Sequence, residues 1–120
     1  AAKNEKSKHC FNYDEMREVN GGKQMKSVWS FTSPGGDEKE FGKHPTQKPV
    51  ALLERVISAS TRVGDWVLDP FAGSATTGVA AISAHRNFVG TELEPEFINL
   101  SIARLKRAID IRQSSPNAAR

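Results

Sequence analysis

The sequence predicts an α/β fold built on a parallel sheet that these 120 residues leave incomplete. Three observations carry the prediction. Two short apolar runs, Trp66-Val67-Leu68 and Phe88-Val89-Gly90-Thr91, read as strands. A small-residue apolar stretch, Val79 to Ala84, lies between them and reads as a helix. A glycine-bearing turn, Phe71 to Gly78, joins the first strand to that helix. Strand, helix, strand in this order is a βαβ unit, and its crossover should be right-handed. Two parallel strands are too few for a stable sheet. Apolar runs of this kind mark strands covered on both faces. Further strands therefore come either from residues 1–43 or from outside this chain.

The other elements follow in order. Residues 1–43 are polar and turn-rich, with Asn20-Gly21-Gly22 and Ser33-Pro34-Gly35-Gly36 as turn signals. Asn12 to Val19 reads as a short helix, and Ser27 to Phe31 as a short strand. Residues 44–112 hold the βαβ region. In it, residues 49–61 predict a helix with Pro49 at its first position, where a missing N–H costs nothing. Val50, Leu53, Val56 and Ile57 give that helix one apolar face. Val63-Gly64-Asp65 turns into the first strand. Pro95 opens a last helix with an apolar stripe of Ile98, Ile102, Leu105 and Ile109. Residues 113–120 read as a disordered tail.

Composition narrows the function classes. Apolar residues make up 38% and charged residues 26%, which fits a globular protein. No stretch approaches the roughly 20 apolar residues of a membrane span. The start, Ala1 to Cys10, is polar and lysine-rich, unlike a secretory signal. The single cysteine, Cys10, rules out a disulfide framework or a thiolate metal cage and fits a cytoplasmic protein. A first residue of Ala1 rather than Met reads as a piece of something longer. Net charge is +3, distributed as +2 over residues 1–48, −3 over 49–97 and +4 over 98–120. Nucleic acid is compatible with such a balance but not demanded by it.

The chemistry concentrates after the first strand. Asp69 sits at its carboxyl end, where open α/β sheets bind ligands. Glu92 sits at the carboxyl end of the second strand, where an acid can accept both hydroxyls of a ribose. The glycine turn lets backbone approach a ligand at a helix N-terminus. Together these predict a nucleoside-bearing cofactor. Gly73-Ser74-Ala75-Thr76-Thr77-Gly78 imitates the dinucleotide fingerprint, and Glu92 lies 19 residues after Gly73. Ala75 occupies the second glycine position, however, and its Cβ enters space that a pyrophosphate would need. A cofactor without phosphates tolerates that better. A dinucleotide and a purely structural turn remain the alternatives. Upstream, Gly42 to Pro49 packs a rigid turn, a hydroxyl and two cations before a helix. Taken alone it is a polar loop.

Taken together, three motifs carry a resemblance. They are His44-Pro45-Thr46-Gln47-Lys48-Pro49, then Asp69-Pro70-Phe71-Ala72-Gly73-Ser74-Ala75-Thr76-Thr77-Gly78, then Val89-Gly90-Thr91-Glu92. In this order they resemble the C-terminal part of bacterial site-specific DNA amino-methyltransferases of the beta class. Phe11-Asn12-Tyr13, Gly21-Gly22-Lys23-Gln24-Met25 and Val28-Trp29 resemble the stretch that precedes the first motif in one branch of the family. The resemblance runs from about residue 8 to 107. One departure is Ala75, where the family usually has Gly.

The resemblance implies a partial Rossmann-like methyltransferase fold and S-adenosylmethionine as cofactor. It implies methylation of adenine N6 or cytosine N4 in double-stranded DNA, in restriction-modification. It also implies roles. Asp69, Phe71 and Gly73 would line the methionine side of the cofactor, with Ser74 and Thr76 nearby and Phe71 also facing the catalytic loop. Glu92 would hold the ribose hydroxyls and Leu93 would flank the adenine. His44, Thr46 and Lys48 would close over the amino-acid end. The family's catalytic Asp-Pro-Pro-Tyr motif does not occur in these residues. Asp69-Pro70-Phe71-Ala72 is a lookalike that continues into the glycine turn. In the resembled order the catalytic motif lies upstream of Ala1, in a missing N-terminal half or a split subunit. No catalytic residue and no metal ligand is therefore assigned, and the chain alone is expected to be inactive. The alternative is a non-catalytic module that binds S-adenosylmethionine or a partner. An unfinished sheet edge also invites a second copy of the chain. Lys23 and Lys26 are candidate phosphate contacts, or else plain surface lysines. Arg104 and Arg107 are expected on the solvated back of the last helix.

Overall fold

The computed structural model describes residues 8–42 and 44–115. Its elements are α1 (Tyr13–Val19), a 3-10 turn (Asp37–Lys39), α2 (Val50–Ser60), β1 (Trp66–Asp69), α3 (Thr76–Ser83), β2 (Asn87–Gly90) and α4 (Pro95–Ser114). The two strands pair in parallel, with Trp66 opposite Asn87, Val67 opposite Phe88, Leu68 opposite Val89 and Asp69 opposite Gly90. The βαβ unit is thus present. Among the described residues the sheet has two strands, so residues 8–42 do not extend it.

Period-two alternation decides what the sheet covers. Val67 and Phe88 pack on a core made by Ile57, Ala80 and Ala81, joined by Val50, Leu53 and Ala84. The alternating positions, Trp66 and Leu68, stay 70% and 68% exposed. The expectation of strands covered on both faces is therefore corrected. The described residues place helices on one side, and nothing on the other. Small residues allow the close packing on the covered side. A Cβ at Gly78 would lie 2.7 Å from the side chains of both Phe88 and Leu105.

Several local devices tie the chain to this core. Asn12 donates from Nδ2 to the carbonyls of Ser58 and Thr61, at 2.6 and 2.8 Å. This serves the open C-terminal carbonyls of α2 and fastens α1 beside it. Buried Arg86 donates to the Thr61 carbonyl and hydroxyl and to the Ala84 carbonyl, closing the ends of α2 and α3 together. Pro49 stands at the N-cap of α2 rather than at its first turn. The first free N–H, of Val50, donates to the Glu38 carboxylate at 3.0 Å.

Three further expectations differ from the structure. Ser27 to Phe31 forms no strand. With no strand edge to pair with, its rings instead stack under one cation. The Arg55 guanidinium lies 5.3 Å from the Trp29 ring centroid and 4.7 Å from that of Phe31. The last helix continues to Ser114, two residues into the segment expected as a tail. Ser115 caps that helix, and residues 116–120 lie outside the described residues. Finally, α4 buries Leu100, Ser101, Arg104 and Ala108. Of the expected stripe, Leu105 packs on α3 at Gly78, whereas Ile98, Ile102 and Ile109 stay part-exposed beside two open hollows next to β2. The small side chains of Ser101 and Ala108 allow the closer approach to α3, so packing overrides the hydropathy pattern. No described helix is long and apolar enough to cross a membrane.

Candidate functional site

The carboxyl ends of β1 and β2 build the site. At the end of β1, the Asp69 carboxylate accepts the Phe71 N–H at 3.0 Å and the Thr77 hydroxyl at 2.6 Å. It thereby bridges both sides of the turn. The turn reverses through two left-handed residues, Gly73 at φ +55° and Ala75 at φ +56°. Glycine is needed at the first for two reasons. Its φ is unfavourable for any residue with a Cβ, and a Cβ would lie 3.1 Å from His44 Nε2. Ala75 has the same backbone conformation without that freedom, at a cost of roughly 1–2 kcal/mol. It is 1% exposed and forms the N-cap of α3.

Glu92, just beyond β2, gathers backbone donors. Its carboxylate accepts the N–H groups of Gly73 at 2.8 Å, Leu93 at 2.8 Å and Glu94 at 3.0 Å. The Glu94 N–H contributes most to holding this carboxyl below the usual carboxylate range. The Leu93 and Gly73 N–H groups and nearby His44 act in the same direction against partial burial. One side chain thus links the two strand ends. The His44 ring covers Gly73 and packs on Phe97, with centroids 4.3 Å apart. Its Nδ1 accepts the Thr46 N–H at 3.2 Å. The loop before α2 is further pinned by Gln47, whose Nε2 donates to the Glu38 carbonyl at 2.7 Å.

Eight of the ten expected site residues share one cleft of about 230 Å³. His44, Thr46 and Lys48 form one wall, and Asp69, Phe71, Gly73, Ser74 and Thr76 form the other. Glu92 lines an adjoining cleft of about 360 Å³, with Ala72, Ala75 and the apolar side of α4. Leu93 stands apart from both clefts and is 87% exposed. Lys23 and Lys26 are exposed and line neither cleft. No described group of three or more His, Cys, Asp or Glu is placed to hold a metal ion.

Arg104 is the residue that sequence reasoning misplaced. It is 6% exposed rather than solvated. Its Nη1 donates to the Ser74 carbonyl at 2.6 Å, the Ser74 hydroxyl at 2.8 Å and the Thr76 hydroxyl at 3.0 Å. Burial pulls its pKa below the usual arginine value, and Glu38 opposes that. Ser101, one turn earlier, donates to the Gly73 carbonyl at 2.7 Å. Arg107 meets the expectation better: it is half-exposed, paired with Glu40 and stacked over Phe41. The available signal was the run of Leu100, Ser101, Arg104 and Ala108 at helical spacing. Its two small residues suit a close helix contact.

The same order of motifs is found in known proteins. The family model described as DNA methylase matches residues 1–103. The type II methyltransferase M2.DpnII of Streptococcus pneumoniae is 52% identical over 107 residues, which are 88% of this chain and 40% of the relative. M2.MboI of Moraxella bovis is 51% identical over 104 residues, 87% of this chain and 38% of the relative. Among solved structures, M1.HpyAVI in complex with SAM aligns with a TM-score of 0.62 and 36% identity. That alignment covers 83% of this chain and 45% of the other. The cytosine-N4-specific PvuII DNA methyltransferase aligns with a TM-score of 0.52 and 29% identity, over 70% of this chain and 34% of the other. The chain thus spans about two fifths of the length of the curated relatives it matches. With a family match over most of its length and a fold shared with solved members, the chain belongs to the DNA methylase family.

Proposed function

We propose that this chain is the cofactor-binding half of an S-adenosylmethionine-dependent DNA amino-methyltransferase. The parent reaction transfers a methyl group to the N6 of adenine or the N4 of cytosine in double-stranded DNA. One observation carries the reading. Three motifs far apart in sequence converge on adjoining clefts at the carboxyl ends of β1 and β2. Relatives named as methyltransferases, and a similar structure solved with SAM, support it.

The residues fit such a cofactor. Gly73 lines the cleft beneath His44 with no side chain of its own, and the Glu92 carboxyl, its pKa lowered, stands beside it. Glu92 Oε2 accepts one N–H and keeps capacity for a hydroxyl. Glu92 would hold the ribose, with Leu93 toward the adenine. Asp69, Phe71, Gly73, Ser74 and Thr76 would line the methionine portion. His44, Thr46 and Lys48 would close over its charged end. When bound, S-adenosylmethionine supplies an electrophilic methyl group. The chain's contribution is to hold that cofactor in a fixed orientation and to exclude water from it.

The target base would be gripped by an Asp-Pro-Pro-Tyr segment, which these residues lack. We place that segment in a portion that docks on the uncovered sheet face around Trp66 and Leu68. Methyl transfer to duplex DNA by the 120-residue chain alone would contradict this division of labour. Titration with S-adenosylmethionine and NAD side by side tests the cofactor assignment. The expected result is binding of the first and not the second. Binding of NAD alone would replace the reading with a dinucleotide site.

A further inference from the structure

We propose that Arg104 is a positioning residue that holds the glycine turn in its cofactor-competent shape by straddling Ala75. The link to the cofactor rests on the function proposed above, whereas the clamp itself does not. A single guanidinium nitrogen, Nη1, bonds Ser74 on one side of Ala75 and Thr76 on the other. Ala75 is the one residue of this turn that carries a Cβ at positive φ. It also lines the cleft that holds Glu92. A turn with an unfavourable residue at its centre relaxes toward ordinary backbone angles unless its neighbours are fixed. Arg104 fixes both neighbours, and Ser101 fixes the Gly73 carbonyl ahead of them.

The choice of an arginine is itself informative. A buried cation is costly unless it is compensated; Glu38 lies near enough to favour the charged form of Arg104, but no described carboxylate hydrogen-bonds it. Its partners are neutral oxygens of the turn. Filling the interior between α3 and α4 would need only an apolar side chain. A long, rigid donor reaching across the helix contact fits a turn that has to be held.

The proposal predicts energetic coupling between two positions that do not share a helix. Four proteins test it: the full chain, Arg104→Met, Ala75→Gly and the double variant. Two readouts apply to each, hydrogen exchange of the turn amides without ligand and the dissociation constant for S-adenosylmethionine. In Arg104→Met the Ala75 amide should exchange at least tenfold faster, while amides of β1 and α2 keep their rates. Affinity should fall at least tenfold. In the double variant, glycine should recover most of both losses, because it adopts the turn unaided. A purely structural role would instead speed exchange throughout the chain, and Ala75→Gly would not reverse it.

If Arg104→Met does not fold, Thr76→Val breaks the clamp on one side with the arginine in place. Local acceleration at Ala75 is again expected. Unchanged turn exchange in a folded variant, or losses that are simply additive with Ala75→Gly, would overturn the clamp. If the unaltered chain binds no S-adenosylmethionine, the proposed function fails, and the exchange data still decide the clamp.

Discussion

The two faces of the sheet obey different constraints. On one face Val67 and Phe88 meet α2 and α3 closely, and even a glycine, Gly78, has no room for a methyl group. On the other face Trp66 and Leu68 are larger or equally apolar, yet most of their surface is bare. The same four-residue strand supplies both. Its apolar character therefore has two origins. One half is fixed by packing inside this chain, and the other half suits a surface that the described residues do not provide. Exposed apolar area of this kind marks an interaction surface more often than an accident.

That contrast is open to direct attack, and the largest effect should come from the packed face. Gly78→Val forces a branched side chain into Phe88 and Leu105. Chemical denaturation should show a loss of roughly 3 kcal/mol. An unchanged midpoint would mean that α3 can move off the sheet. The turn between the faces should respond in the opposite sense. Ala75→Gly removes the Cβ from a left-handed position and should raise stability by about 1 kcal/mol. A thermal melt checks it, and a lowered Tm would show that the methyl group's burial outweighs the backbone cost.

Two carboxylates sharpen the comparison through pH. Burial raises the pKa of Glu54 above its ordinary 4.5, although a hydrogen bond from Ser83 opposes the shift. A raised folded pKa means that its contribution is most favourable below the unfolded value. That contribution is lost as pH rises through the raised value. Glu54→Gln should therefore gain stability relative to the parent as pH goes from below 4 toward 7. Glu92 has the opposite sign: its pKa is lowered, chiefly by the Glu94 N–H. Its contribution is present at neutral pH and is lost as pH falls through the depressed value. Melts across this range should show the advantage of Glu54→Gln over the parent disappearing in acid; a constant offset would deny the burial. The smallest effect belongs to the open face. Leu68→Ser should shift stability by less than about 0.5 kcal/mol. A large loss would mean that this face is covered within the chain itself.

Much of this was legible in the sequence because local signals and packing agree there. The βαβ order, Pro95 at the start of α4 and the short helix before Asn20 rest on period and punctuation alone. The convergence of His44 on Gly73 came through family resemblance, since no spacing rule brings residues 44 and 73 together. The failures share a cause. Ser27 to Phe31 has strand-like residues but no edge to pair with, and Arg55 collects its rings instead. Arg104 looks like a surface residue because charge normally means exposure. Its burial depends on hydroxyl and carbonyl acceptors some 30 residues away. The isoleucine stripe of α4 misled for the converse reason. Of that stripe Leu105 does meet α3 at Gly78, but the isoleucines do not, and the small residues Ser101 and Ala108 share the buried side.

The most direct test of the account is calorimetric titration of S-adenosylmethionine into the chain and into Glu92→Ala. The account predicts binding by the parent chain and at least a tenfold loss in the variant, or about 1.4 kcal/mol. Equal affinity in the two proteins, or no binding by a folded parent chain, would contradict it.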